Sequence, residues 1–300
     1  MASGNDKIKE RNSVIERIAM DKNLKERLDR LHHQVKETKA ELAQDWDKLQ
    51  SRTRLRFQQL LDRFDFQELE AMIADFRAEQ AKVEPLPADA ILRELPIRHQ
   101  LEMSLDEALM NRKSTRDFSG EPIPESNLAT ILWACNGINR KDLKRTTPSA
   151  LNWQDVSIYV VQPNGIWKYL PKRHALLFIE GKDQREHFGE IKTWMRLAGA
   201  HLVFVSDARK MKTMTTKLVN KAFDVDMLQG ELAERARALN TGVKLQAAAL
   251  ATAGLGLAGV TRLPVKDEKA RELLRLAPEE KIMAIYSVGY PSQSLFDHVF

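Results

Sequence analysis

A chain of 300 residues, 43% hydrophobic and 30% charged, has the composition of an ordinary soluble protein that buries one sizeable core and one smaller unit. Its single cysteine excludes a disulfide framework or a cysteine metal site within one chain, and the charged run MASGNDKIKERNSVIERIAM lacks the apolar stretch of a secretory signal, so a cytoplasmic protein is expected. Of the 47 Lys+Arg and 42 Asp+Glu, residues 1–94 hold 18 and 19, leaving 29 and 23 downstream, so the basic excess belongs to the second part of the chain. That excess suits small anionic ligands such as phosphates, whereas nucleic acid is not expected, because no dense basic stripe with interleaved aromatics is present.

Every proline lies at or after Pro85 and every glycine except Gly4 at or after Gly120, so residues 6–84 contain no helix breaker and are expected to be helical. Leu24, Leu28, Leu31, Val35, Leu42, Trp46 and Leu49 recur at the steps of one apolar helical stripe. Thr38 and Asp45 interrupt the heptad, which favours a hairpin or coiled-coil-like arm over a long autonomous coiled coil. The expected organisation is a helical extension over 1–84, an extended, proline-containing connector over 85–96, and one domain over 97–300.

From Ser104 the signals alternate between helix and strand. Ser104 with Glu107 makes a capping box for a helix ending near Arg112. Pro124 opens IPESNLATILWACNG, whose Leu128, Ile131, Leu132 and Cys135 share one face before Gly137 stops it. DVSIYVVQPNGIWKYL reads as a hairpin with Asn164-Gly165 at the turn, and AHLVFVSDA as an apolar strand. A Gly-terminated helix from about Thr241 to Gly254 leads into strand-like LAGVTRL, followed by a helix in KDEKARELLRL and a strand in KIMAIYSVGYP. Hairpin strands mixed with helices predict an α+β layered domain. The charge-free stretch from Leu245 to Thr261 is too short and too weakly apolar for a membrane span and reads as a buried helix running into a strand. The phosphate-binding fingerprint GxxxxGK[ST] is absent.

The segment NRKSTRDF at 111–118 places three basic side chains around a Ser-Thr pair at a helix end. In an extended segment side chains alternate, so Arg112, Ser114 and Arg116 can point to one side, and guanidinium forks with a hydroxyl suit a phosphate dianion. His174, His187 and His201 are not spaced as a metal triad, and Ser149 has no partner His and Asp that the sequence identifies.

RKSTRDFSGEPIPESNLATILWACNGINR, KRTTPSALNWQDVSIYVV, GLAGVTRL and YSVGYP, in this order, resemble the FMN-dependent nitroreductase family, and within it the branch related to thiazoline/oxazoline dehydrogenases. The resemblance covers about residues 97–292 and leaves the first 94 unexplained. It implies a nitroreductase-like layered mixed or antiparallel sheet flanked by helices, and an FMN oxidoreductase that draws on NAD(P)H and reduces an organic acceptor of nitroaromatic or quinone type.

It further implies that Arg112, Lys113 and Ser114 hold the FMN phosphate and ribityl chain, with Arg116 toward the ribityl and pyrimidine end. Pro148 and Ser149 shape a turn presenting Asn152 to the flavin, often from the other protomer of a homodimer. Gln246 and Arg262 match further cofactor positions, with Leu263 in the loop beside them. Three places depart from the family pattern: Leu263 stands where glycine is usual, Ala247 where asparagine is, and PSQSLFDHVF supplies none of the basic residues that often complete the phosphate site. The resemblance leaves open an azoline-type peptide dehydrogenase or a degenerate flavin-binding scaffold, with the N-terminal helices free to dock a protein partner.

Overall fold

The computed structural model describes residues 86–189, 196–264 and 267–292, together with His33. The expected arm, including its stripe at Leu28, Leu31 and Val35, therefore lies outside the described residues. The chain divides into two compact units, Met1–Asp65 and Phe66–Phe300, and the fold described is that of the second.

Seven strands form one sheet in the order β1-β4-β3-β2-β5-β7-β6. They are β1 (Leu92–Glu94), β2 (Val156–Gln162), β3 (Gly165–Leu170), β4 (Ala175–Glu180), β5 (Ala200–Asp207), β6 (Ala258–Arg262) and β7 (Glu280–Gly289), and every pairing is antiparallel. The helices are α1 (Leu105–Asn111), α2 (Glu125–Asn136), α3 (Met214–Phe223), α4 (Gly230–Gly254) and α5 (Glu268–Leu273).

The central strand β5 is buried at all eight positions, because both faces of the sheet are covered. On one face Ile158, Val160, Leu202 and Phe204 pack with Leu128, Ile131 and Leu132 of α2 and Ala248 and Ala251 of α4. On the other, Tyr159, Val161, Val203 and Ile285 pack with Phe188, Ala270 and Leu274. The α+β expectation and the α2 stripe both hold, and Cys135 sits in this core fully buried.

Three local readings change. The expected connector contains β1, whose Leu92, Arg93 and Glu94 pair with Leu177, Leu176 and Ala175, so it is an edge strand of the sheet. The hairpin loop is Pro163-Asn164; Gly165 already pairs with Gln162, and its φ of +128° sits where a Cβ would overlap the Glu180 carbonyl oxygen. Helix α4 begins at Gly230 rather than near Thr241. Its charged first half hides a stripe of Ala233, Ala236, Arg237 and Asn240, all buried, which hydropathy alone does not reveal.

Candidate active site

Helix α1 starts as expected: Ser104 Oγ accepts from Glu107 N at 3.2 Å and Glu107 Oε2 accepts from Ser104 N at 2.8 Å. It ends where Arg112 turns to extended backbone, at φ −63° and ψ 114°. The chain then runs along the outer edge of β6. Ser114 bridges Gly259 in parallel and Thr115 N donates to Gly259 O at 3.0 Å, while buried Phe118 bridges Pro291. This pairing covers an edge that would otherwise expose backbone groups. Arg112, Lys113, Ser114 and Arg116 stay exposed, and the three cations make no side-chain hydrogen bond or ion pair among the described residues.

A cavity of about 240 Å³ opens between this segment, with Arg112 and Lys113 on its wall, and the C-terminal end of α4. Gly259 and Tyr286 belong to its lining. Tyr286 lies on the face of β7 that α4 covers, and its phenol crosses over Gly259: a Cβ added there would overlap the hydroxyl oxygen. The Thr252 hydroxyl, 1% exposed, has no partner with hydrogen-bond geometry among the described residues, although it lies near enough to the phenol to favour its ionised form. Burial nevertheless pushes the Tyr286 phenol up to about 12, against the weaker opposing pull of Thr252 and of the Arg112 charge.

The second predicted block forms a tight turn at the other end of α4. Pro148 is exposed, and Ser149 Oγ accepts from Gln154 N at 3.0 Å. Leu151, Asn152 and Gln154 have φ of 47°, 55° and 48°, a run of left-handed backbone that surrounding structure must hold in place. Asn240 does so from beneath: its Oδ1 accepts from Ala150 N at 2.7 Å while its Nδ2 donates to Asp155 Oδ1 at 2.7 Å. Fully buried Asp155 also accepts from Ser206 Oγ at 2.5 Å, and Ser206 Oγ accepts from Arg237 Nε at 3.0 Å.

Lys244, 0% exposed, is the second support. Its Nζ donates to Asn136 Oδ1 and Thr147 Oγ1, both at 2.9 Å, tying the end of α2 and the approach to the turn onto α4. Burial lowers its pKa to about 8, the charge of Arg145 adding to the effect. Two acceptors match the two N–H groups of a neutral amine, whereas an ammonium ion would leave a third donor unmet. Burial likewise pushes the neighbouring Cys135 thiol up to about 12.

Asn240 and Thr252 are twelve positions apart on α4, or about 18 Å along its axis. One chain thus gathers Arg112, Lys113 and Ser114 with the C-terminal end of α4, and holds Pro148, Ser149 and Asn152 at the far end. Gln246 is exposed on the helix between them. Arg262 lies on the opposite face of the sheet, where Nη1 donates to Phe188 O at 2.9 Å and Nη2 to Ser287 Oγ at 2.8 Å. Burial lowers its pKa to about 10, and Leu263 beside it is 76% exposed.

His201 bonds Ser287 Oγ in the core, and no group of three or more His, Cys, Asp or Glu among the described residues could hold a metal. Sequence reasoning missed Tyr286, Thr252, Asp155 and Lys244. The available signal for Tyr286 was strand alternation, which puts it on the same face as Val288.

An antiparallel sheet with helices on both faces and a basic segment along its last strand defines the class, and comparison with known proteins narrows it. The Nitroreductase family model matches residues 109–290, more than half of the chain. A curated protein of Methanocaldococcus jannaschii, provisionally named a nitroreductase, is 24% identical over 181 residues, covering 58% of this chain and 86% of its own. A solved structure from Ralstonia eutropha JMP134, also provisionally named a nitroreductase, is 27% identical with a TM-score of 0.59, covering 71% of this chain and 97% of its own. One from Anabaena variabilis ATCC 29413 shares the fold at 21% identity and a TM-score of 0.52, covering 68% and 42%. The chain belongs to the nitroreductase family and is an oxidoreductase. Among the described residues no helix is long and apolar enough to cross a membrane.

Proposed function

We propose that the protein is an FMN-dependent oxidoreductase that takes hydride from NAD(P)H and passes electrons to an organic acceptor of nitroaromatic or quinone type. The observation that carries this reading is the cavity beside β6, where Arg112 and Lys113 form no ion pair among the described residues and Ser114 and Thr115 hold the segment in place. The donors fit the group: two cations for a phosphate, a buried hydroxyl at Thr252 beside the Tyr286 phenol, and side-chain-free backbone at Gly259.

Bound there, FMN supplies the hydride chemistry; the protein supplies position and field. Arg112, Lys113 and Ser114 bind the phosphate and ribityl chain, and Arg116 lies toward the pyrimidine end. Asn152, on the turn shaped by Pro148 and Ser149, reaches the flavin of a second copy in a homodimer, a reading supported by its separation from the cavity along α4. Gln246 faces outward on the same helix. At 261–263 the backbone rather than the Arg262 guanidinium approaches the flavin, because that side chain is engaged on the opposite face. The segment upstream of residue 85 serves a protein partner.

The test is the absorption spectrum of the purified protein, expected to be that of bound flavin. Size measurement of a chain starting at residue 86, which keeps β1, should give a dimer. A colourless protein that takes up no added FMN would overturn the reading.

A further inference from the structure

Resting on that reading of the cavity, we propose that Tyr286, backed by Thr252, is an added phosphate-binding residue beside Arg112, Lys113 and Ser114. The cavity wall at 111–115 supplies cations, but the stretch PSQSLFDHVF beyond it contains no Lys or Arg. A phosphate dianion has more acceptor sites than two cations and one serine satisfy, so further donors lower the cost of taking it out of water.

Two hydroxyls stand where such donors are needed. The Tyr286 phenol passes over Gly259 to reach the cavity, and glycine is the one residue that leaves it room. The Tyr286 and Thr252 hydroxyls lie close enough to act on each other, and neither has another side-chain partner among the described residues. A core-filling residue would serve equally well as phenylalanine; a phenol and a threonine hydroxyl that have only each other, brought to a cationic cavity across a strand, leave one proton free to donate to an anion. The pressure of burial keeps the phenol protonated across the physiological range, and a protonated phenol is the form that donates. Thr252, placed behind it, orients the phenol or donates beside it.

The two sources of affinity separate by ligand. FMN and riboflavin differ in the phosphate, so the flavin-stripped full-length protein is titrated with each, following quenching of flavin fluorescence. Tyr286→Phe should weaken FMN by about tenfold or more and leave riboflavin within about twofold. Thr252→Val should show the same selectivity to a smaller degree, with Thr252→Ser restoring the parent affinity. Inorganic phosphate should compete with riboflavin-independent FMN binding in the parent and less in Tyr286→Phe.

Equal losses for the two flavins would mean that the tyrosine packs rather than binds phosphate, and would overturn the proposal. So would an unchanged FMN affinity in both variants. If the parent binds riboflavin and FMN alike, the phosphate site fails while the flavin reading stands. If it binds neither, the functional reading fails too.

Discussion

The basic segment at 111–116 and the polar cluster around Asp155 and Lys244 flank the same helix, and they treat polarity in opposite ways. At the first, Arg112, Lys113 and Arg116 are exposed and unpaired among the described residues. At the second, Asp155, Asn240 and Lys244 are sealed from water and bonded to one another or to the neighbouring turn. An unpaired exposed cation costs little while waiting for an anion, whereas a buried polar group must be satisfied by the fold itself. The difference separates ligand binding from scaffolding, and removing groups from either end should give different phenotypes.

The largest expected effect lies at the sealed end. Asp155→Ala strips acceptors from Asn240 and Ser206 and should cost on the order of 3–5 kcal/mol in chemical denaturation, comparable to breaking a buried ionic network. A cost below about 1 kcal/mol would show that the cluster is not sealed. At the open end, Arg112→Ala with Ser114→Ala should weaken FMN binding by one to four orders of magnitude while leaving the unfolding midpoint of the flavin-free protein nearly unmoved. If the double variant stays as yellow as the parent, the two ends are not divided as argued.

Lys244 sharpens the comparison through pH. Its folded pKa of about 8 lies below the ordinary lysine value of 10.5, so the unfolded chain holds the proton more tightly. The associated penalty is complete below pH 8 and disappears as pH rises through 10.5. The stability of the parent minus that of Lys244→Met should therefore climb by on the order of 3 kcal/mol across this window. Subtraction removes the other groups that titrate there. A flat difference would mean that the amine stays charged in its cage. The smallest effect belongs to Ser104→Ala, which deletes an exposed capping box and should lower stability by about 1 kcal/mol without altering flavin affinity.

The same contrast explains what was legible. Periodicity and punctuation revealed α2, the β2–β3 hairpin, β5 and the basic turn, because these depend on local pattern. The first half of α4 stayed hidden, since Arg237 and Asn240 are buried by partners that meet them only in three dimensions. For the same reason nothing in the sequence marks Lys244 as buried, and the opposite orientation of Arg262 could not be foreseen from GVTRL. Short β1 went unrecognised because its three residues form a strand only when β4 lies beside them. Gly259 and Tyr286 lie in GLAGVTRL and YSVGYP, but neither string shows the crossing that joins them.

Cys135 gives the sealed end a built-in clock. It is the chain's one thiol, fully buried, with ionisation pushed up to about 12. An unfolded cysteine is about half ionised near pH 8.5, so a thiol reagent at that pH reacts almost exclusively with molecules whose α2–α4 seam has opened. The labelling rate times that opening, and a ligand seated at the far end of α4 would register as a slower clock.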